Sequence, residues 1–573
     1  MQEQFDPTDL RNQSPGLPMP KLKVLFYNFT TQNRITAHGK TQNPDMNTWL
    51  EQFNGRSIIN LSIAPLYFQS YIIHNRPELL EQFEWADFVY EPLADQQALA
   101  DILNEQKIDV LCLGLYVWNS VKILADLQGL KSRLNNPNTV IIAGGPSVSP
   151  QHPELLTQNT DIDYAVYNQG DKIFADLLGL IIAGRRPNIV DHANVMWMGK
   201  DGVPVITQSK WDKLADHANI YLENQDLLKR MVEKYRSDDR AIEIVWETTK
   251  GCVYACTFCS WNSGNKPRQY KRYNIEYTDE FRLFADLGIH HLSLGDANFG
   301  MYKQDLDIAK NIVALQKEGL FFQFRGYNFA KLQKERVFEI YDLFYKAGMF
   351  NTPRISCQDL DPQVLLDIDR PEKPWAENLA LIREFLDKNP TAPIEIELIL
   401  GLPGATRQSW INTLTEIASH DFLVRWSPFQ DIPGAPASTD LEYRARMKLE
   451  TREFYDSVAK FWSTYFVGSY SYTHTDWLFF VYLVNVIEVM RSAGVPSSTF
   501  LKLQPHLTNS ESLNTWLTQT VENTDLSAII QACSKFLLTE LDYFELDHAH
   551  TMQSYLSQQI SKTVYHKSKR DYQ

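Results

Sequence analysis

The stretch TTKGCVYACTFCSWNSG, residues 248–264, sets Cys252, Cys256 and Cys259 in a C-x3-C-x2-C frame. Half of the chain's six cysteines fall in this one loop, which makes it a metal-ligand pattern. A structural zinc site takes four protein ligands, and the loop offers no histidine as a fourth. A [4Fe–4S] cluster also usually takes four thiolates; held by three, it keeps one iron with an open position. An open iron can chelate a small ligand and pass it an electron. A three-cysteine zinc site or an incidental grouping is the bland alternative.

The segments around this loop define its setting. AIEIVWETTKG (241–251) leads into it as a buried strand. Five more strand patterns follow: HHLSLGDANFG (290–300), FQFRGYN (322–328), TPRISCQDL (352–360), IEIELILGLPG (394–404) and FLVRWSPFQDIPG (422–434). Helical patterns separate them, which predicts a parallel (β/α)6 partial TIM barrel over residues 241–450. The cysteines follow its first strand, at the end of the barrel where such folds carry their chemistry.

Upstream, KLKVLFYNF (21–29), IDVLCLGLYVW (108–118), TVIIAGGPSVSP (139–150) and IDYAVYNQG (162–170) alternate with helix patterns. They predict a doubly wound, Rossmann-like α/β domain over 21–205. Residues 1–20 read as a flexible tail, 206–240 as a polar, helix-prone linker, and 451–573 as a helical C-terminal region without a strand series. WLFFVYLVNVIEVM (477–490) is shorter than the roughly 20 residues a bilayer needs, so it reads as a core helix. The chain has 573 residues, 44% of them apolar, and a formal charge of −15. That charge argues against nucleic acid or an anionic membrane as partner. Sparse cysteines and no secretory signal predict a cytoplasmic protein.

The cysteine spacing after the first strand of a parallel barrel resembles the radical S-adenosylmethionine (SAM) superfamily, and Phe258, just before the last cysteine, matches the superfamily habit. The resemblance implies a [4Fe–4S] cluster on Cys252, Cys256 and Cys259, with SAM on the open iron. It implies SAM contacts from Gly295 and Asp296 in GDAN (295–298), although a turn with a capping aspartate explains that motif as well. RISCQDLDPQVLLDIDR (354–370) and ELILGLPGATRQSW (397–410) resemble the fourth and fifth strands of members that carry a cobalamin-binding domain in front. On that reading Ser356 and Gln358 approach SAM; the alternative is two satisfied strand-end polar groups. The N-terminal domain resembles the cobalamin-binding fold through VIIAGGPSVSP, with Ser147 and Ser149 near a nucleotide-like tail. It lacks D-x-H-x-x-G, so cobalamin is left open.

Two relatives fit this layout. Proteusin-type peptide epimerases abstract an α-hydrogen from a ribosomally made precursor peptide and return hydrogen from a thiol on the opposite face. Cys357, at the end of the fourth strand, resembles that donor, which makes epimerisation the leading expectation and a precursor peptide the expected partner. A flavodoxin or ferredoxin is expected to supply electrons. A core strand cysteine is the plain alternative for Cys357, because alternation turns it away from the face of Gln358 unless a bulge intervenes. The second reaction is cobalamin-dependent C-methylation of a peptide or small molecule. Arg325, Tyr327 and Arg425 are candidate contacts to SAM or peptide, or ordinary ion-pair partners. Cys112 and Cys533 read as buried small hydrophobes.

Overall fold

The computed structural model describes residues 20–30, 35, 41–184, 192–210, 219–261, 268–271, 276–332, 334–456, 461–492 and 497–504. All but the last residue of the expected tail, Cys533, and everything after 504 lie outside the described residues.

Numbered along the chain, the first eight strands are β1 (Leu22–Tyr27), β2 (Ser57–Leu61), β3 (Phe83–Val89), β4 (Val110–Gly114), β5 (Val140–Gly144), β6 (Tyr164–Val166), β7 (Val195–Met198) and β8 (Pro204–Ile206). Seven of them form one sheet in the order β3-β1-β4-β5-β6-β7-β8. It is parallel from β3 to β6 and antiparallel beyond. The chain leaves β1 toward β3 and returns on the other side as β4, so a crevice opens at the carboxyl ends of β1 and β4. Strand alternation divides the apolar residues between two cores. Leu25, Tyr27, Leu111, Leu113 and Ile141 face a core that is local to this domain. Val24, Phe26, Val110, Cys112 and Ile142 join the large core shared with the rest of the molecule.

The six expected barrel strands are present as β9 (Arg240–Trp246), then, past the hairpin β10 (Thr249–Cys252) and β11 (Arg268–Lys271), β12 (Ile289–Leu294), β13 (Gln323–Gly326), β14 (Arg354–Gln358), β15 (Glu395–Leu400) and β16 (Leu423–Pro428). They are arranged as two parallel sheets, β13-β12-β9-β2 and β14-β15-β16. The edge strand β2 comes from the N-terminal segment, and it pairs with β9 from Ser57↔Arg240 to Leu61↔Ile244. The α/β class expected from the sequence holds.

The segment read as a linker contains the helix Gln225–Tyr235, which buries Leu227, Leu228, Met231, Val232 and Tyr235. Its polar residues supply the outer face of an amphipathic helix rather than a loose connection. The C-terminal region is not wholly helical. An antiparallel hairpin, β17 (Glu450–Asp456) with β18 (Phe461–Gly468), precedes the helix His474–Ser492. That helix buries Trp477, Phe480, Leu483, Val484 and Ile487, as a core helix should. Among the described residues no helix is long and apolar enough to cross a membrane.

Candidate active site

β9 ends at Trp246, and the chain turns through Glu247 and Thr248 into the hairpin that carries Cys252. Asp296, just past β12, fixes this turn. Its Oδ1 accepts from the backbone N–H of Thr248 at 2.6 Å and of Thr249 at 2.8 Å, while Oδ2 accepts from the Thr248 hydroxyl at 2.5 Å. The residue is 0% exposed. Asp296 therefore anchors the cysteine loop, the capping role offered by the sequence as the alternative to a SAM contact. Gly295 is constrained by packing: a Cβ there would lie 2.8 Å from Val245 Cγ1 and 3.1 Å from Glu247 Cβ.

Each cysteine sulfur has an N–H donor. Asn298 Nδ2 lies 3.1 Å from Cys252 Sγ, Lys331 Nζ 3.2 Å from Cys256 Sγ, and the Trp261 amide 3.4 Å from Cys259 Sγ. Asn298 and Lys331 follow the ends of β12 and β13. A parallel bridge between Phe299 and Phe329 continues the pairing of those strands and holds the two loops in register. Thr257 is held from three sides. Its N–H donates to Ile368 O, its carbonyl accepts from Ala437 N–H, and its hydroxyl donates to Tyr443 Oη at 2.9 Å. Phe258 packs on the main core with the Arg370 guanidinium 6.0 Å from its ring.

These features fit an iron–sulfur cluster. Donors to sulfur and buried cations suit thiolate ligands of an anionic group. Without a metal, burial pushes the Cys259 thiol up to about 11, so cluster binding has to displace its proton.

At the fourth strand, register shifts between Ser356 and Gln358, and Cys357 is the extra residue of a bulge. Gln358 takes a left-handed φ of 68°. Ser356 donates to Glu397 Oε2 at 2.5 Å, and Arg354 pairs with Glu395 at 2.5 Å. The Ser356 hydroxyl is thus a satisfied strand polar group. The Gln358 Oε1 is buried without a hydrogen-bond partner among the described residues, an arrangement that suits an absent ligand donor. Cys357 is 1% exposed within the main apolar core, and burial pushes its thiol up to about 11. A hydrogen donor must touch its substrate, and this thiol presents no surface to one. The donor role expected of Cys357 is not supported by its position. Arg325 pairs with Glu243 at 3.2 Å and Arg425 with Glu397 at 3.8 Å; Tyr327 donates to Thr352 O. All three have internal partners.

The N-terminal domain brings a second surface to this end of the molecule. Asn119 donates to Asn28 Oδ1, Phe29 O and Gly114 O, filling the crevice between β1 and β4. The exposed turn Gly145–Pro146 follows β5. Gly145 has φ 107°, and a Cβ on it would lie 2.4 Å from Leu115 O. Beside it Trp118, 40% exposed, stacks on Tyr116 at 4.7 Å. Ser149 is buried and donates to Gln151 Oε1 at 2.6 Å, so it does not face outward as expected. The two surfaces meet at Glu247, which accepts from the Tyr67 hydroxyl of the helix Ala64–Asn75, while Lys250 Nζ lies 3.8 Å over the Tyr67 ring. Burial and the Glu247 carboxylate both raise the Tyr116 phenol above its ordinary value.

Sequence reasoning missed Asn298, Lys331, Tyr67 and Glu247. Asn298 lay inside the GDAN motif, two residues from Asp296, in the bend that follows β12. Lys331 had no spacing signal, since its place depends on the bridge between the two strand-end loops.

The three cysteines thus lie at the mouth of a partial barrel, in a loop whose donors and neighbouring buried cations suit an iron–sulfur cluster. Residues 246–417 match the radical SAM superfamily model, and the chain carries a radical SAM domain. Such a domain implies a [4Fe–4S] cluster and SAM. The chain is 29% identical over 351 residues to the cobalamin-dependent radical SAM methyltransferase TokK of Streptomyces tokunonensis, covering 61% of this chain and 50% of that one. It is 29% identical over 344 residues to the 2-(S-pantetheinyl)-carbapenam-3-carboxylate methyltransferase of Streptantibioticus cattleyicolor, covering 58% and 48%. The chain thus spans about half the length of the curated relatives it matches. The fold is similar to that of OxsB, a cobalamin-dependent SAM radical enzyme solved with aqua-cobalamin and SAM, with TM-score 0.57, 14% identity, and coverage of 96% and 80%.

Proposed function

We propose that this chain is a cobalamin-dependent radical SAM methyltransferase acting on a peptide or small molecule. The observation that carries this reading is the junction of Tyr67, Glu247 and Lys250, where the helix Ala64–Asn75 meets the turn that leads into the cysteine loop. Homology to named methyltransferases supports the same reaction over peptide epimerisation, the leading expectation from the sequence.

Cys252, Cys256 and Cys259 would hold the cluster, and the open iron would take SAM. Trp118, Tyr116 and the Gly145–Pro146 turn would take the flat face of cobalamin, with no histidine from a D-x-H-x-x-G motif needed. Bound there, cobalamin supplies a carrier for the methyl group of SAM. The protein's own part is positional. Asp296 holds the loop, Asn298 and Lys331 donate to the cysteine sulfurs, and Gln358 Oε1 accepts from a ligand donor. A one-electron donor of the flavodoxin or ferredoxin type completes the scheme.

The test is anaerobic reconstitution with iron, sulfide and hydroxocobalamin, then turnover of candidate substrates with SAM and a reductant in deuterated buffer. Expected are retained cobalamin, a methyl gain by mass spectrometry, and unchanged turnover in Cys357→Ala. Trp118→Ala should retain less cobalamin at the same iron content. A product that gains one deuterium and no methyl, with cobalamin neither retained nor required, and that is lost in Cys357→Ala, would return the protein to the epimerases.

A further inference from the structure

Beneath the cysteine loop lies a group of buried charges, of which the reaction scheme uses only the Lys331 hydrogen bond to Cys256. Lys331 is 5% exposed, and its ammonium lies 3.8 Å over the Tyr254 ring as well as beside Cys256 Sγ. Lys334 lies 3.6 Å from Glu372, with side-chain exposures of 5% and 3%. Arg370, 8% exposed, lies 3.5 Å from the same carboxylate and donates to Ser356 O. Among the described residues Lys334 and Arg370 pair with one carboxylate, Glu372, and Lys331 pairs with none. Buried charge without a counter-charge is costly, so two positive charges beside the cysteines call for an anion.

A cluster on three thiolates supplies it. A doubly positive [4Fe–4S] core with three thiolates carries one net negative charge, and one electron from a low-potential donor makes it two. The reduced state therefore matches the two surplus cations.

We propose that Lys331, backed by Lys334 and Arg370, is the built-in counter-charge of the cluster, and that its hydrogen bond to Cys256 Sγ raises the cluster's reduction potential. The inference rests on the cluster assignment but not on which group the enzyme transfers. Hydrogen bonds to the ligand sulfurs, net charge and solvent exposure are the protein's levers on such potentials. The Lys331 contact uses the first two and is shielded from the third. Lys331 acts through Cys256, so it is a positioning and electrostatic residue.

The experiment is an anaerobic potentiometric titration of full-length protein, reconstituted with iron and sulfide, without SAM, and followed by the electron paramagnetic resonance signal of the reduced cluster. Wild type, Lys331→Met and Lys331→Arg are compared, with iron and sulfide counted per chain. The expected result is full cluster content in Lys331→Met with a more negative midpoint, so that less cluster is reduced at a fixed solution potential, and recovery toward wild type in Lys331→Arg. If Lys331→Met loads no cluster while Lys331→Arg loads it and titrates like wild type, the counter-charge role also stands. A fully loaded Lys331→Met with the wild-type midpoint would overturn it. So would failure of both variants to load, since that outcome makes the shape of lysine, not its charge, the requirement. A wild type without any iron–sulfur signal would instead sink the cluster assignment itself.

Discussion

Asp296→Ala tests whether the cysteine loop is held from the second barrel strand. The carboxylate accepts two backbone amides and one hydroxyl at 2.5–2.8 Å in a position that is 0% exposed. Each buried donor left without an acceptor costs about 1–3 kcal/mol. Two amides and a hydroxyl, with some relief if water enters, give about 3–5 kcal/mol. Such a cost is large enough to open the turn locally before the domain unfolds, and the turn leads directly into Cys252. Asp296→Asn keeps one oxygen for the two amides and can donate to the Thr248 hydroxyl, so about 1 kcal/mol is expected. The assay pairs urea unfolding with iron counted after anaerobic reconstitution. Asp296→Ala should fall in stability and lose at least half its iron, with Asp296→Asn between it and wild type. An alanine variant with wild-type stability and wild-type iron would refute the argument.

Two other perturbations read out separate parts of the molecule. Asp359 is 1% exposed, and burial pushes its carboxyl from 3.8 up to about 6, against the opposing bonds from Asp361 N–H, Thr413 Oγ1 and Leu360 N–H. The folded state thus holds this proton more tightly than the unfolded chain does. Its contribution to stability is complete below the unfolded pKa and is lost as pH rises through about 6. Asp359→Asn has no proton to lose, so its stability relative to wild type should rise by roughly 2 kcal/mol between about pH 4 and pH 7 in urea melts; parallel pH profiles would contradict this. Gly145→Ala places a Cβ 2.4 Å from Leu115 O at φ 107°, and the left-handed backbone alone costs about 1–2 kcal/mol. It should lower the melting temperature and cobalamin retention while leaving iron content unchanged. Iron lost in step with cobalamin would show that the two surfaces do not act separately.

The barrel was legible because its strands are short apolar runs with polar ends, and the cysteine frame marks which end is active. IEIELIL shows why the pattern is so clear: Ile396, Leu398 and Leu400 are buried in the core, while Glu395 and Glu397 reach Arg354 and Ser356. Of the two roles the sequence offered Asp296, the structure shows the capping one. A buried aspartate at a strand end serves a ligand or a neighbouring turn equally well, and sequence alone does not distinguish the two. For Cys357 the structure favours the plain alternative, a core strand cysteine. A bulge at Gln358 was the condition for turning the thiol toward substrate, and the bulge is present, yet the thiol remains in the core. The hairpin β17–β18 was missed because TREFYDSVAKFWSTYFVG (451–468) has no glycine or proline turn signal between its strands.

The strand that sequence order could not assign is the one that joins the two halves. Ser57–Leu61 looks like part of the first domain by its place in the chain, yet it pairs with β9, and Asn60 Nδ2 reaches Glu243 Oε1 at 3.1 Å. The helix Gln225–Tyr235 buries an apolar face in the core that holds Ile59, Leu61, Ile242 and Ile244. A parallel pair has no turn between its strands, so local sequence carries no signature of it. Its consequence is mechanical. β9 runs directly into the cysteine loop, and its free edge is closed by the N-terminal segment, whose next helix carries Tyr67 to Glu247. The N-terminal segment is therefore fixed beside the cysteine loop through a strand pair on β9 and a side-chain contact at Glu247, just after that strand. The proposed methyl transfer, which would bring two bound groups to one substrate, needs such a fixed relation, and the β2–β9 pair builds it into the barrel sheet itself.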